Sequence, residues 1–451
     1  MASAAEQLAS SINFGALAKA TELKQRIWYT LGLLIVARLG AYIPLPGIDA
    51  AAFQAIFEQH SGGVLGMVDM FAGGAIRRMT VFALGIMPYI SASIIMQLLT
   101  SVSPTLEAWK KEGESGRRKI NQYTRYGTLV LALLQAFGIA NGLQNMSGPS
   151  GGAVIDPGYF FLATTVITLT CGTMFLMWLG EQITARGIGN GISLIIFAGI
   201  VARLPTALKQ IFEQLWAGSI SGFLVFGIAV GVVVVITGVV FFERAQRRLI
   251  VQYPKRQVGN RMFGGESSHM PLKLNMSGVI PPIFASSLLL LPLTVASFYS
   301  NRADLPEWMQ TTIRLFSHGQ PIYIGLYLGL ITFFAFFYTA IVFNPDETAE
   351  NLKKHGGFMP GIRPGKNTAE YLDYVLTRLT VMGAAYLCAV CVLPEVLISQ
   401  YSVPFYFGGT SLLIIVVVTM DFMTQVQAYM MSQQYESLLR KANFKGWVPS
   451  R

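Results

Sequence analysis

The sequence predicts an all-α polytopic membrane protein, and three observations carry that prediction. Hydrophobic residues make up 53% of the 451 positions and charged residues only 12%, about half the ~25% charged share of a soluble domain, so there is too little charge to coat a water-facing surface. A bilayer core of ~30 Å needs ~20 mostly apolar residues as a helix, and stretches that meet this within a few residues recur along the whole chain. The 33 Lys and Arg exceed the 23 Asp and Glu, for a formal charge of +10. With a mean hydropathy of +0.51, these basic residues would have to coat a largely apolar object, which argues against a nucleic-acid binder. Cys171, Cys388 and Cys391 lie inside apolar stretches and suggest no disulfide framework.

Taken in order, the expected spans are 27–43, 79–99, 126–143, 159–179, 192–204, 223–242, 279–299, 322–343, 379–398 and 405–423. The fifth is short and flanked by glycine. Residues 1–26 are mixed and polar, with Lys19, Lys24 and Arg26 leading into the first span, so no cleavable signal peptide is expected. Ten spans put both ends of the chain on one side of the membrane. On that side fall 26 Lys and Arg, against five (Arg77, Arg78, Lys209, Arg302 and Arg314) on the other, with Arg38 and Arg203 inside spans. Positive residues accumulate on the cytosolic side, so both termini are expected there.

Three departures from a plain helix bundle stand out. Between the first two spans, Gly62 and Gly63 precede an apolar run at 64–72, and Gly73 and Gly74 follow it. Nine helical residues reach only ~14 Å. The segment is either a re-entrant half-helix, tolerated at membrane depth only where protein or a watery cavity surrounds it, or an amphipathic loop at the outer surface. The second span contains Pro88 between Ile86 and Ile90, and the seventh begins with Pro281-Pro282 before Ile283. One proline-interrupted span in each half suits a moving or cavity-lining pair, while packing alone also explains them. Intramembrane charge is scarce: Arg38, Arg203, Glu395 and Asp421 are the main cases, all but Asp421 near a span end. A proton- or ion-coupled transporter usually buries more titratable groups.

Catalytic motifs are missing where an enzyme would need them. His60, His269, His318 and His355 fall in loops, and no phosphate-binding GxxxxGK[ST] loop occurs, so an intramembrane hydrolase lacks its constellation and nucleotide-driven work falls to a partner. Cys388-Ala-Val-Cys391 within a span reads as two packed thiols. Gly227-xxx-Gly231 reads as close helix packing. The sequons at Asn145 and Asn275 matter only in a secretory eukaryotic setting. The loops at 243–276 and 344–378 exceed the usual connection length. Their many basic residues, Arg256, Arg261 and Arg363 among them, could dock an acidic protein surface, ribosomal RNA or anionic lipid heads.

Long motifs, in order, resemble the SecY family, the protein-conducting channel subunits of the bacterial Sec translocase, in their proteobacterial form. They are IPLPGIDA (43–50), FAGGA (71–75), ALGIMPYISASII (83–95), KEGESGRRKINQYTRYGT (111–128), GTMFLMWLGEQITARGIGNGIS (172–193), PPIFASS (281–287), FYTAIVFNPDETAENLKK (337–354), PGIRPG (360–365), PFYFGGTSLLI (404–414) and SQQYESLLRKANFKG (432–446). Only the first 20 residues and the exterior loops go unmatched.

The resemblance implies ten transmembrane helices in two pseudo-symmetric halves of five, 27–210 and 211–428, between a cytosolic segment 1–26 and a tail 429–451. The halves close around an hourglass pore and hinge on the external connection of the fifth and sixth helices. It matches Ile86, Ile90, Ile196, Ile283 and Ile414 to the constriction, where branched apolar side chains can dewet a narrow neck. It matches 65–74 to a re-entrant plug, with Leu65, Met67, Val68, Asp69, Met70, Phe71, Gly73 and Gly74, and so favours the re-entrant reading. The second and third helices against the seventh and eighth match the lateral gate, with Gln97 and Asn275 as polar gate residues. Arg256, Arg261 and Arg363 match positions that dock the motor or ribosome, although Asn260-Arg261 stands where relatives usually carry adjacent arginines.

By the same resemblance the partners are SecE and SecG subunits, the SecA ATPase, the ribosome, signal peptides and unfolded precursor chains, membrane lipid, and SecDF and YidC. No cofactor or metal is expected, and the location is the bacterial inner membrane. The competing reading from another class is a secondary transporter of a small solute, which also uses paired halves and broken helices; the apolar neck and the long basic loops argue against it.

Overall fold

The computed structural model describes residues 21–60, 69, 72–144, 147–148, 151–218, 221–253, 256–258, 261–263, 267–299, 320–401 and 409–441. The architecture is all-α and polytopic. Helix α1 (Thr21–Gly40) is followed by α2 (Ala50–His60), a series of turns over 72–86, α3 (Met87–Val102), α4 (Pro104–Lys111) and α5 (Glu114–Gln144). Then come the antiparallel pair β1 (Ser147–Gly148) and β2 (Gly151–Gly152), α6 (Tyr159–Arg186), α7 (Gly191–Val201), α8 (Leu204–Trp216) and α9 (Gly222–Arg244). Beyond a β-structured loop lie α10 (Ile280–Tyr299), α11 (Pro321–Val342), α12 (Pro345–Lys354), α13 (Lys366–Tyr401) and α14 (Gly409–Lys441). Among the described residues, 7 helical segments are long and apolar enough to cross a membrane, and α3 with α4, bent by 98°, makes an eighth.

The ends of these helices follow from local chemistry. Asn190 and Asn344 cap α7 and α12, each side-chain oxygen accepting from two backbone N–H groups of the first turn, the groups a helix start otherwise leaves unpaired. The prolines of the second and seventh spans begin helices instead of interrupting them. Pro88 lies in the first turn of α3 and Pro281-Pro282 in the first turn of α10, where a missing N–H breaks no hydrogen bond. The second span is accordingly shorter than expected at its start. Residues 79–86 form turns, because Met79 at φ +42° and Gly85 at φ +58° have left the right-handed helical region. The third, fourth and ninth spans extend beyond the expected apolar limits as helix, the tenth extends beyond its expected end, the first starts earlier but ends at Gly40, short of the expected limit at 43, and the fifth runs through a break at Ala202-Arg203 into α8.

Side-by-side packing runs α3–α5–α6 and α10–α11–α13, and α10 rests against both α3 and α5. Helix α7 is held by α1, α6 and α14. One large apolar cluster draws from α1, α3, α6, α7, α10, α11, α13 and α14. A second lies where α2 and the 72–86 turns meet α5 and α6, around Phe53, Met79, Leu143 and Leu169. By contrast α9 presents Phe223, Phe226, Val233 and Phe241 outward, and a side chain at Gly227 or Gly231 would meet nothing within 4 Å. The expected close packing on that glycine pair is not made among the described residues. Cys388 and Cys391 are free thiols.

The two long loops form one body. Strands β3 (Gln246–Gln252) and β6 (Ser267–Lys273) pair antiparallel, with β4 (Arg256–Val258) and β5 (Arg261–Phe263) paired beyond them. Gln252 and Phe358 then exchange two backbone hydrogen bonds of 2.9 Å, joining this ribbon to the later loop. Leu249 and Leu272 from the ribbon share a small core with Met359, Leu372, Val375 and Leu379. Leu372 is fully buried, so Leu372→Ala removes packing worth about 2–5 kcal/mol. Limited proteolysis in detergent is expected to cut the 243–276 and 344–365 loops at least several-fold faster in that variant; an unchanged pattern would show the loops to be held independently.

Candidate functional site

The five isoleucines matched to the constriction come from separate parts of the chain. Ile86 is the residue preceding α3 and Ile90 lies in its first turn; Ile196 is on α7, Ile283 on α10 and Ile414 on α14. All five are buried and belong to the same apolar cluster, Ile414 being 1% exposed and Ile283 8%. Four helices thus deliver one side-chain type to one large cluster. The isoleucine side chains themselves offer water no hydrogen-bonding partner, and burying them removes apolar surface from water at roughly 25 cal/mol per Å².

Of the plug residues, Asp69, Gly73 and Gly74 are described; Leu65, Met67, Val68, Met70 and Phe71 lie outside the described residues. Asp69 is completely buried and sits 2.7 Å from Arg203 in an ion pair. Its other carboxylate oxygen accepts from the Arg77 N–H at 2.9 Å, and its carbonyl accepts from the Gly74 N–H at 2.9 Å. Arg38, in the last turn of α1, donates to the Gly73 carbonyl at 3.1 Å. Neither arginine is an incidental charge inside a span: Arg203 occupies the break between α7 and α8, and both turn to the plug segment.

Gly73 packs tightly against both Arg38 and Gly199. It has φ +66°, a conformation that favours glycine, and a β-carbon there would lie 2.8 Å from the Gly199 α-carbon on α7. A cavity of about 40 Å³ is bordered by Arg38, Ala72, Gly85, Ile86, Ile90 and Ile196, roomy enough for a water, which needs about 10–15 Å³. Farther along, the Arg78 guanidinium lies 4.1 Å over the Tyr42 ring, fastening the turns after the plug to the end of α1.

The two polar gate residues do not bond each other. Gln97 donates to Ser93 on its own helix at 3.2 Å. Asn275 donates to Glu243 at the end of α9 at 2.7 Å and to the Gly278 carbonyl at 3.1 Å, while its oxygen accepts from Ser277 at 3.0 Å. Asn275 therefore shapes the entry to α10 where it passes α9. A contact between the two sides lies elsewhere, where Lys110 of α4 donates at 3.4 Å to the Ile341 carbonyl in the last turn of α11. Arg256 and Arg261 lie on β4 and β5. Arg363 is exposed, and its carbonyl accepts from the Thr368 hydroxyl at the start of α13.

Sequence reasoning missed the partners of Asp69. The signal was present: one carboxylate in an apolar run and two arginines stranded near span ends, and isolated charges at membrane depth seek one another. Among the described residues no three His, Cys, Asp or Glu gather as a metal site.

A helical chain with 7 described segments long and apolar enough to cross a bilayer is, as a class, a polytopic membrane protein. The SecY family profile matches residues 80–423. Protein translocase subunits SecY of Escherichia coli K12, Vibrio cholerae and Rickettsia bellii are 59%, 57% and 54% identical to this chain, covering 94–95% of it and 96–97% of their own lengths. The chain belongs to the SecY family. It is a protein-conducting translocase channel subunit of the inner membrane, and its function is not enzymatic.

Solved structures show the same fold at low identity. A protein-conducting channel matches with a TM-score of 0.62 at 18% identity, covering 90% of this chain and 92% of its own. A SecY whose plug domain stabilises the closed state matches at 0.64 and 19%, with the same coverage. Sec61 in a canine ribosome–channel complex matches at 0.61 and 19%, again over 90% and 92%.

The tight seat of Gly73 is open to test. Gly73→Ala combines an unfavourable φ with the collision against Gly199, an expected strain of about 1–3 kcal/mol. A cysteine placed at Ala72 should then react several-fold faster with a membrane-impermeant thiol reagent; equal rates would contradict the close contact.

Proposed function

We propose that this chain is the pore-forming subunit through which unfolded secretory proteins cross the inner membrane and from which hydrophobic segments leave sideways into lipid. The observation that carries this reading is the gathering of Ile86, Ile90, Ile196, Ile283 and Ile414 in one buried apolar cluster. Such a neck excludes water when closed and makes no side-chain-specific bond to a passing chain. The segment with Asp69, Gly73 and Gly74 acts as the plug. Helices α3 and α5 against α10 and α11 act as the lateral gate, with Gln97 and Asn275 as polar gate residues. A hydrophobic signal sequence shifts the gate toward its open state by the difference in its affinity for the two.

No energy source was identified in the chain, so a partner drives the movement: the SecA ATPase or the translating ribosome, docking on the joined loops through Arg256, Arg261 and Arg363. The two halves hinge about the connection after α7, and both termini face the cytosol, as the 26 to five distribution of basic residues supports. SecE and SecG complete the complex. SecDF and YidC associate with it. A solute transporter finds no support among the relatives, which are translocase subunits.

The test is a stalled secretory precursor bearing one cysteine, offered to channels with cysteine at Ile86 or Ile283. Disulfide formation at both positions is expected. No crosslink at either position, with a small solute accumulating in proteoliposomes, would overturn the channel reading. A second test addresses docking: Arg363→Glu is expected to reduce motor-driven export at least several-fold while insertion of membrane proteins stays near normal, whereas equal loss of both would remove Arg363 from the docking surface.

A further inference from the structure

We propose that Arg203 is the positioning residue for the plug, and that its ion pair with Asp69 is the latch that the channel breaks on opening. The inference rests on the channel reading above and adds to it which residues hold the closed state and what movement releases them.

Asp69 is the hub of its segment. Completely buried, it reaches Arg203 at 2.7 Å through one oxygen and the Arg77 backbone N–H at 2.9 Å through the other. Its side chain therefore ties the segment forward to the turns that lead into α3 and across to the junction of α7 and α8. Arg203 sits in the two-residue break between those helices, so it travels with the end of α7, the helix that carries Ile196. The second strap, Arg38 to the Gly73 carbonyl at 3.1 Å, runs to a different helix, α1. The plug is therefore held by charge from two sides, while the neck beside it is apolar.

Electrostatics makes this arrangement a switch. The Asp69 carboxylate is fully buried and depends on its charge partner, whereas the Arg203 side chain is 21% exposed; separating the two lets water solvate the carboxylate as well. A displacement of the α7–α8 junction by a few ångströms lengthens the 2.7 Å contact and admits water. The carboxylate then loses its reason to stay buried, and the plug segment loses its hold. Neutralising Arg203 leaves a fully buried carboxylate without its charge partner, and neutralising Asp69 leaves the partly exposed Arg203 no charge to hold, so either single neutralisation should release the plug.

The test uses the full translocase complex reconstituted in planar bilayers. Resting ion conductance and the signal-peptide concentration that half-opens the channel are read for Asp69→Asn, Arg203→Gln, the double neutral variant, Arg203→Lys and the exchanged pair Asp69→Arg with Arg203→Asp. The resting leak should rise about tenfold or more in each single neutral variant, with a lower half-opening concentration. The double variant should be no leakier than either single, and Arg203→Lys should stay near wild type. Recovery of the seal in the exchanged pair would identify the pairing itself as the cause.

Unchanged leak in both single variants, beside an Ile86→Gly and Ile283→Gly control that does leak, overturns the latch and leaves the channel reading intact. Additive effects in the double variant together with no recovery on exchange also overturn it, since the two residues would then act separately.

Discussion

A pore wide enough for a polypeptide must hold back ions and water when idle, and in the channel proposed above the dewetting of a narrow apolar neck is the constraint on which the rest of the structure depends. The branched side chains proposed to form it come from four places in the chain and belong to one large buried cluster, and each helix that supplies one must be positioned by its neighbours. That requirement explains the small-residue contacts nearby. A side chain at Gly180 would press on Ile192, and one at Gly191 would collide with the Gly180 backbone, so α6 and α7 pack backbone to backbone. Helix α7 is thereby seated closely enough to aim Ile196 inward.

Charge is kept to the margins of this neck. Asp69, Arg38 and Arg203 cluster beside the plug segment, and Asn275 with Glu243 ties α9 to the start of α10. Within the apolar cluster itself, closure depends on burial, which is non-directional and tolerates rearrangement. At the margins it depends on hydrogen bonds and ion pairs, which have defined partners and break in discrete steps. A gated channel for variable substrates has use for both: an indifferent neck and specific fastenings.

The fold class was legible because composition, span length and charge asymmetry are properties of long windows. Boundaries were less so. Pro88 read as a kink and proved to be a helix start, since the turns before it depend on left-handed residues at Met79 and Gly85 that hydropathy does not register. The two long loops could be recognised as functional by their length and charge, but not as one body, because the Gln252–Phe358 pairing is made by backbone groups whose side chains carry no sign of it. The constriction residues came from motif resemblance; isoleucine is too common in membrane helices for spacing to single out five. Asp69 was visible as an acid in an apolar run, whereas its ion-pair partner Arg203 was assigned to a span and weighed alone.

The most direct measurement is the resting conductance of the reconstituted complex as Ile86, Ile90, Ile196, Ile283 and Ile414 are replaced cumulatively by glycine, with plug and loops left intact. An apolar seal predicts a leak that grows with each replacement as the neck widens and wets. Conductance that stays at the wild-type level after all the replacements would contradict it and place the seal in the plug alone.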